Sequence, residues 1–199
     1  MNLRLFIAIT PPVALLDEIA RIQTDAMRSF PSRGFRRQSP DNWHVTLHFL
    51  GSVGEELVDD LTSRLRAVPA RPPIELKLGA PGVFPAVRRP RVLWVGFGGD
   101  LSALQELQTD VVHAAGAFGA KDERRSFIPH LTLARIAEPL HSSSVRALTD
   151  WLAGMHPPPF SWEVDEFELW QSTLQPTGST YSRLVRFRLG GDLEGECGS

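Results

Sequence analysis

The sequence predicts an α+β fold in two duplicated lobes, and three observations carry that expectation. The phrase His44-Val45-Thr46-Leu47 returns as His130-Leu131-Thr132-Leu133, and repeated sequence marks duplicated structure. Segments that alternate with period two interleave with segments of three-and-four apolar spacing. Each half therefore runs strand, helix, motif strand, helix, strand. A Gly/Pro/Arg stretch from Gly79 to Pro90 supplies a seam. With 199 residues, the chain suits a single bilobal domain over 1–189. One lobe is expected over about 1–85 and the other over about 86–189, followed by a disordered acidic, Gly-rich tail over 190–199.

In chain order, Arg4 to Thr10 alternates as a first strand. Pro11 and Pro12 open a helix whose apolar face is Leu15, Leu16, Ile19, Ile22 and Met27. Pro31 and Gly34 break it. Phe35 to Gln38 reads as a short strand, Ser39-Pro40-Asp41 as a turn, and Trp43 to Leu50 as the first motif strand, closed by Gly51. Glu55 to Val68 is a helix and Ile74 to Leu78 a strand. Val92 to Phe97 is the next strand, followed by a helix from Leu101 to Phe118 that Gly119 stops. Lys121 to Arg125 is a charged loop before the second motif strand, Phe127 to Ile136. Ser142 to Ala153 is a helix with Ser142 to Ser144 as caps. Phe160 to Leu174 is a strand or bent pair, and Tyr181 to Leu189 a final strand.

Side chains two apart on a strand share a face. His44 therefore stands beside Thr46, and His130 beside Thr132, while Val45, Leu47, Leu131 and Leu133 turn toward a core. Duplication alone repeats core positions. It does not require a repeated imidazole and hydroxyl on the opposite face, and this repetition points to chemistry. Two facing pairs would give a symmetric pocket with two acid–base groups and two hydroxyl donors. Histidine ordinarily titrates near pH 6.5, where one ring can accept a proton and the other give one.

Charge and composition narrow the alternatives. Apolar residues are 42% and charged residues 22% of the chain, which suits a soluble globular protein. The formal net charge of −2 does not advertise a polyanion partner. Its distribution says more. Arg33, Arg36 and Arg37 precede the first motif; Arg88, Arg89 and Arg91 flank the middle strand; Arg124, Arg125 and Arg135 surround the second. Arginine's planar donors match phosphate oxygens, so a basic rim for an anionic substrate is expected. No apolar run approaches the ~20 residues of a membrane-crossing helix, and no signal peptide opens the chain. The single Cys197 excludes an internal disulfide. A cytoplasmic location is the default expectation.

These phrases resemble the 2H phosphoesterases, named for two His-x-Thr-x motifs, and among them the RNA 2′,3′-cyclic phosphodiesterases, also called 2′-5′ RNA ligases. The matching stretches are Arg4 to Ile9, Trp43 to Gly51, Pro90 to Gly96 and Phe127 to Arg135. A weaker one runs from Leu169 to Leu174 and from Gly178 to Tyr181. The resemblance reaches nearly the whole chain, to about Leu189. It implies two lobes related by a pseudo-twofold axis, each an antiparallel sheet backed by helices, with the motifs lining a central cleft. It also implies His44 as proton donor, His130 as proton acceptor and Arg135 as a phosphate contact, while the Thr46 and Thr132 hydroxyls can donate hydrogen bonds to the non-bridging phosphate oxygens. Strict alternation from His130 puts Arg135 on the wrong face unless the strand ends or bulges near Ala134. Trp43, Phe6 and Tyr181 are candidate platforms for a base. The implied substrate is RNA ending in a 2′,3′-cyclic phosphate, or a cyclic nucleotide, with no cofactor and no obligatory protein partner.

Other chemistries fit less well. His44 and His48 have the spacing of a helical zinc pair, but the segment reads as strand and the accompanying glutamate is missing. No metal is expected. Gly96, Gly98 and Gly99 have the wrong spacing for a dinucleotide loop, and no Gly-x-Ser-x-Gly elbow occurs. Two alternatives stay open: a related enzyme for small cyclic phosphates or 2′-5′ oligonucleotides, and a non-catalytic module that binds RNA ends.

Overall fold

The structure is a computed structural model that describes residues 1–29, 34–119, 126–175 and 178–190. The expectations for Pro31, Arg33, the Lys121–Arg125 loop, Cys197 and the tail beyond Gly190 fall outside the described residues. The strands are β1 (Asn2–Ile9), β2 (Phe35–Arg37), β3 (Val45–Gly54), β4 (Ile74–Phe84), β5 (Val92–Gly99), β6 (His130–Ile136), β7 (Ser161–Val164), β8 (Glu166–Gln175) and β9 (Gly178–Arg188). The helices are α1 (Val13–Ser29), α2 (Val58–Arg66), α3 (Leu101–Ala115) and α4 (Ser142–Gly154).

The nine strands form one antiparallel sheet in the order β7-β4-β5-β6-β3-β1-β8-β9, with β2 added to β6. The motif strands β3 and β6 lie side by side at its centre, paired through Val45 and Leu131. Outward from them, β1 and β5 occupy equivalent places, as do β8 and β4, then β9 and β7. The expected boundary near residue 85 does not follow this pairing. β4 leaves the first half of the chain to lie between β5 and β7, while β8 and β9 return from the second half to β1. Each repeat thus gives its outer strand to the other. The helices follow suit, α1 packing on α4 and α2 on α3.

The core lies between sheet and helices. Leu5, Ile7 and Ile9 of β1, Val45 and Leu47 of β3, and Leu131 and Leu133 of β6 are buried against Leu15 and Ile19 of α1 and Leu104, Leu107 and Val111 of α3. Burial of this apolar surface is the main stabilising contribution.

Several boundaries move for local reasons. The Gly79–Pro90 stretch is not all loop, because β4 continues to Phe84 after a register slip between Leu78 and Pro81. Gly51 does not close β3. With φ of +75°, it carries a bulge opposite Leu5 and Phe6, and the strand runs on to Gly54. Glu55–Leu57 is a 3₁₀ turn leading into α2. Helix α3 ends at Ala115, before Gly119. The α4 N-cap position is His141, and no side chain caps it.

Candidate active site

The four motif side chains converge because β3 and β6 are neighbours. Continuing the register from Val45 and Leu131 sets His44 opposite Thr132 and Thr46 opposite His130. All four are half-buried on the face away from the core, while their neighbours Val45, Leu47, Leu131 and Leu133 are buried. The expected arrangement of imidazole and hydroxyl on one face is therefore present twice, on touching strands.

Both imidazoles bond the backbone two residues upstream. The Nδ1 of His130 lies 2.7 Å from the carbonyl oxygen of Ile128. A carbonyl only accepts, so Nδ1 of His130 carries the hydrogen and its Nε2 is left to meet a substrate. His44 bonds the backbone of Asn42. Aromatic rings wall both histidines. Phe6 lies 4.7 Å and Tyr181 5.3 Å from the His44 ring, centroid to centroid. Phe84 lies 4.9 Å and Trp94 6.1 Å from His130. Burial pushes the His44 pKa down to about 4, helped by the charges of His130 and Arg135 and opposed by the Asn42 hydrogen bond. His130 is lowered as well, again mainly by burial, with the Ile128 carbonyl opposing and Arg135 contributing.

Arg135 reaches the cleft through a bulge. The register against β5 slips between Leu93 and Trp94. Leu133 and Ala134 are consequently both buried, and Arg135 emerges exposed on the cleft side. Its register partner on β2 is Arg36. Like charges directly opposite one another destabilise a strand pair unless something neutralises them. An anion in the cleft would do so. The cleft, of about 640 Å³, is lined by Arg4, Arg36, Arg37 and Arg135 together with His44 and Thr46, and, among the described residues, by no carboxylate.

Other candidate residues take different places. Tyr181 and Phe6 line the cleft. Trp43 does not present a ring to a base there. It is 3% exposed and belongs to the hydrophobic core, bordering a smaller cavity of about 230 Å³ that His44, Trp170 and Tyr181 also line. Strict alternation along β3 would set His48 on the face of His44 and Thr46. A register slip between Ile7 and Ala8 sets it opposite the buried Ile7 instead, and Phe49 takes the cleft position across from Phe6. Among the described residues, no three His, Cys, Asp or Glu side chains cluster to hold a metal ion.

Sequence reasoning missed the second aromatic wall and the supports behind the first. A side chain at Gly82 would run into the Trp94 ring at 2.3 Å, and one at Gly96 would press it at 3.1 Å. Glycines facing a strand tryptophan were the available signal. Behind the first wall, Trp170 stacks on Phe6 with centroids 6.3 Å apart. The buried Glu168 carboxylate accepts from Trp170 Nε1 at 3.0 Å, Arg183 at 2.9 Å and Thr10 Oγ1 at 2.5 Å. The Asn42 amide donates to the Ser179 carbonyl at 3.0 Å, tying the His44 turn to the β8–β9 hairpin.

A family model described as the 2′-5′ RNA ligase superfamily matches residues 11–175. The chain belongs to the 2′-5′ RNA ligase superfamily. Among its members, the RNA 2′,3′-cyclic phosphodiesterase of Escherichia coli K12 is 31% identical, over 94% of this chain and 96% of that protein. The protein of the same name from Methanothermobacter thermautotrophicus is 30% identical, over 95% of this chain and 100% of that protein. The crystal structure of E. coli LigT complexed with 3′-AMP superposes with a TM-score of 0.75 at 29% identity, covering 95% of this chain and 99% of that one. The superfamily fold, a curled antiparallel sheet flanked by helices with a central cleft, is the one described above.

Proposed function

We propose that this protein is an RNA 2′,3′-cyclic phosphodiesterase that opens the cyclic phosphate at an RNA 3′ end and leaves a 2′-phosphate. The observation that carries the proposal is the meeting of two His-x-Thr pairs on adjacent strands, each imidazole bonded to the backbone two residues upstream. The names of the similar proteins support the same substrate.

In the proposed reaction, neutral His130 takes a proton from the attacking water. Oxygen bonds to phosphorus as the bond from phosphorus to the ribose 3′-oxygen breaks. His44, protonated in the substrate complex, gives its proton to that departing oxygen. Attack and departure occur in line on opposite sides of phosphorus, which one histidine from each motif strand permits. Thr46 and Thr132 donate to the non-bridging oxygens, whose charge grows in the transition state. Arg135 holds the phosphate, and Tyr181 and Phe6 keep the His44 side of the site apolar. The same attack by a 5′-hydroxyl in place of water, with the 3′-oxygen again departing, would form a 2′-5′ linkage. Such RNA ends arise inside the cell, so the proposal includes action in the cytoplasm.

The test is turnover of an end-labelled cyclic-phosphate RNA and of a cyclic mononucleotide, with and without chelator. Turnover of the RNA unaffected by chelator is expected. Turnover of the mononucleotide alone would favour an enzyme for small cyclic phosphates, and binding without turnover would favour an RNA-end-binding module. Role assignment needs a second substrate. His44→Ala should lose at least about 10²-fold on the cyclic phosphate and much less on a nitrophenyl phosphodiester, whose leaving group needs no proton. His130→Ala should lose both. Rescue of His130→Ala by the nitrophenyl ester would swap the two roles.

A further inference from the structure

The cleft extends well past the reacting groups. On β6, β2 occupies the edge that β3 has left, so Arg36 and Arg135 stand to the N-terminal side of His44. In the other direction along β3 come Thr46 and then Phe49. Phe49 lies five residues from His44, at most about 16 Å along the strand at ~3.3 Å per residue, on the far side of Thr46.

Phe49 is unlike the aromatic residues around it. Its register partner Phe6 is buried, whereas Phe49 is 43% exposed on the cleft floor. Two register slips, one on either side of the Phe6–Phe49 pair, turn it there. The Arg4 guanidinium lies over its ring, 4.8 Å from the centroid, and is itself exposed. A lone surface phenylalanine is unremarkable. This one sits in a groove with four arginines and, among the described residues, no carboxylate, on a chain whose net charge is −2. Apolar rings and guanidinium planes in a basic groove are what an unpaired nucleic acid strand needs. Bases stack on the former, and the backbone follows the latter.

We propose that Phe49 and Arg4 form a second nucleotide subsite, where an upstream base of the RNA strand stacks and its phosphate meets the Arg4 guanidinium. The inference rests on the phosphodiesterase reading and extends its substrate from a cyclic phosphate to an RNA chain. Phe49 supplies affinity that tolerates any base, since every base has a π-face. Arg4 supplies a salt-sensitive share.

The experiment compares kcat/KM for a cyclic-phosphate hexanucleotide with that for the cyclic mononucleotide of the same terminal base. The wild-type ratio is expected to exceed one. Phe49→Ala should lower the ratio about tenfold, the value of one lost stacking contact, and Phe49→Trp should restore it. Arg4→Gln should lower the ratio and flatten its salt dependence. A ratio unchanged in Phe49→Ala, or an equal loss on both substrates, would overturn the subsite. Anisotropy with the labelled 2′-phosphate hexanucleotide reads the subsite without turnover. If wild type turns over neither substrate, the phosphodiesterase reading fails, and weaker binding by Phe49→Ala still decides the subsite separately.

Discussion

Replacing His44 with glutamine should make the protein more resistant to acid, by an amount that follows from the burial of the imidazole. In the unfolded chain the ring takes a proton near pH 6.5, and in the folded protein near 4. Between those values the unfolded state binds a proton that the native state refuses, so stability falls as pH falls. The sign is that of a group with a depressed native pKa that prefers to be neutral. At about 1.4 kcal/mol per pH unit, the full gap corresponds to about 3 kcal/mol, of which roughly 2 kcal/mol has accrued by pH 5. His130, lowered in the same direction, adds to the wild-type loss. Urea unfolding of wild type and His44→Gln at pH 7.5 and pH 5 isolates the His44 share, because the carboxylates titrate alike in both proteins. The variant should gain roughly 2 kcal/mol relative to wild type between the two pH values. An equal acid sensitivity in the two proteins, or an NMR titration placing the free His44 ring at or above pH 6.5, would refute the assignment. Adding a 2′-phosphate nucleotide should raise that ring's pKa, because an anion beside the imidazole favours the charged form.

Two further predictions concern residues that act on the histidines. Asn42→Ala removes the amide that donates to Ser179 but leaves the backbone bond to His44; it should cost about 1 kcal/mol of stability and lower kcat more than it raises KM, and a change in KM alone would deny it a positioning role. Arg135→Ala removes a charge that lowers both histidines; both rings should titrate higher by NMR, and kcat/KM should fall about tenfold to a hundredfold with the loss of a charged hydrogen bond to phosphate, whereas unchanged titrations would mean that its charge does not reach the pair.

The parts legible in the sequence were those with a strict local period. Thr46 shares a face with His44 because nothing interrupts the alternation between them, and Thr132 stands in the same relation to His130. Alternation ceased to predict faces wherever a bulge intervened. His48 and Phe49 exchanged roles through one such slip, and Arg135 came to the cleft through another. A bulge is fixed by pairing with a strand distant in sequence, so no window of residues around position 48 or 135 carries it. The loop expected over Gly79 to Pro90 fell short for a related reason. Gly79 to Phe84 has the composition of a loop, yet it continues β4 beside β5, and pairing across the sheet overrides local preference. Likewise Phe84 and Trp94 joined His130 only when the β4–β5 hairpin was formed beside β6.

The exchange of outer strands also bears on how two similar histidines come to differ. His44 is walled by Tyr181, from the second half of the chain, on a hairpin held to its own turn through Asn42. His130 is walled by Phe84, from a strand contributed by the first half. Each repeat therefore builds part of the environment of the other repeat's imidazole, and the two environments are free to diverge while the motif strands stay alike. The His44 environment is the one that drives its ring down to about 4. If His44 is the proton donor, as proposed above, this has two opposing effects. Fewer free molecules carry the proton at neutral pH, but a proton on so weak a base passes more readily to the poorly departing ribose oxygen. In that proposal a bound phosphate would resolve the conflict in part, since its charge would restore the proton to His44 when the substrate is in place. An acid charged mainly in the complex, opposite a base neutral beforehand, would then give the duplicated motifs the separate duties that the proposed in-line displacement requires.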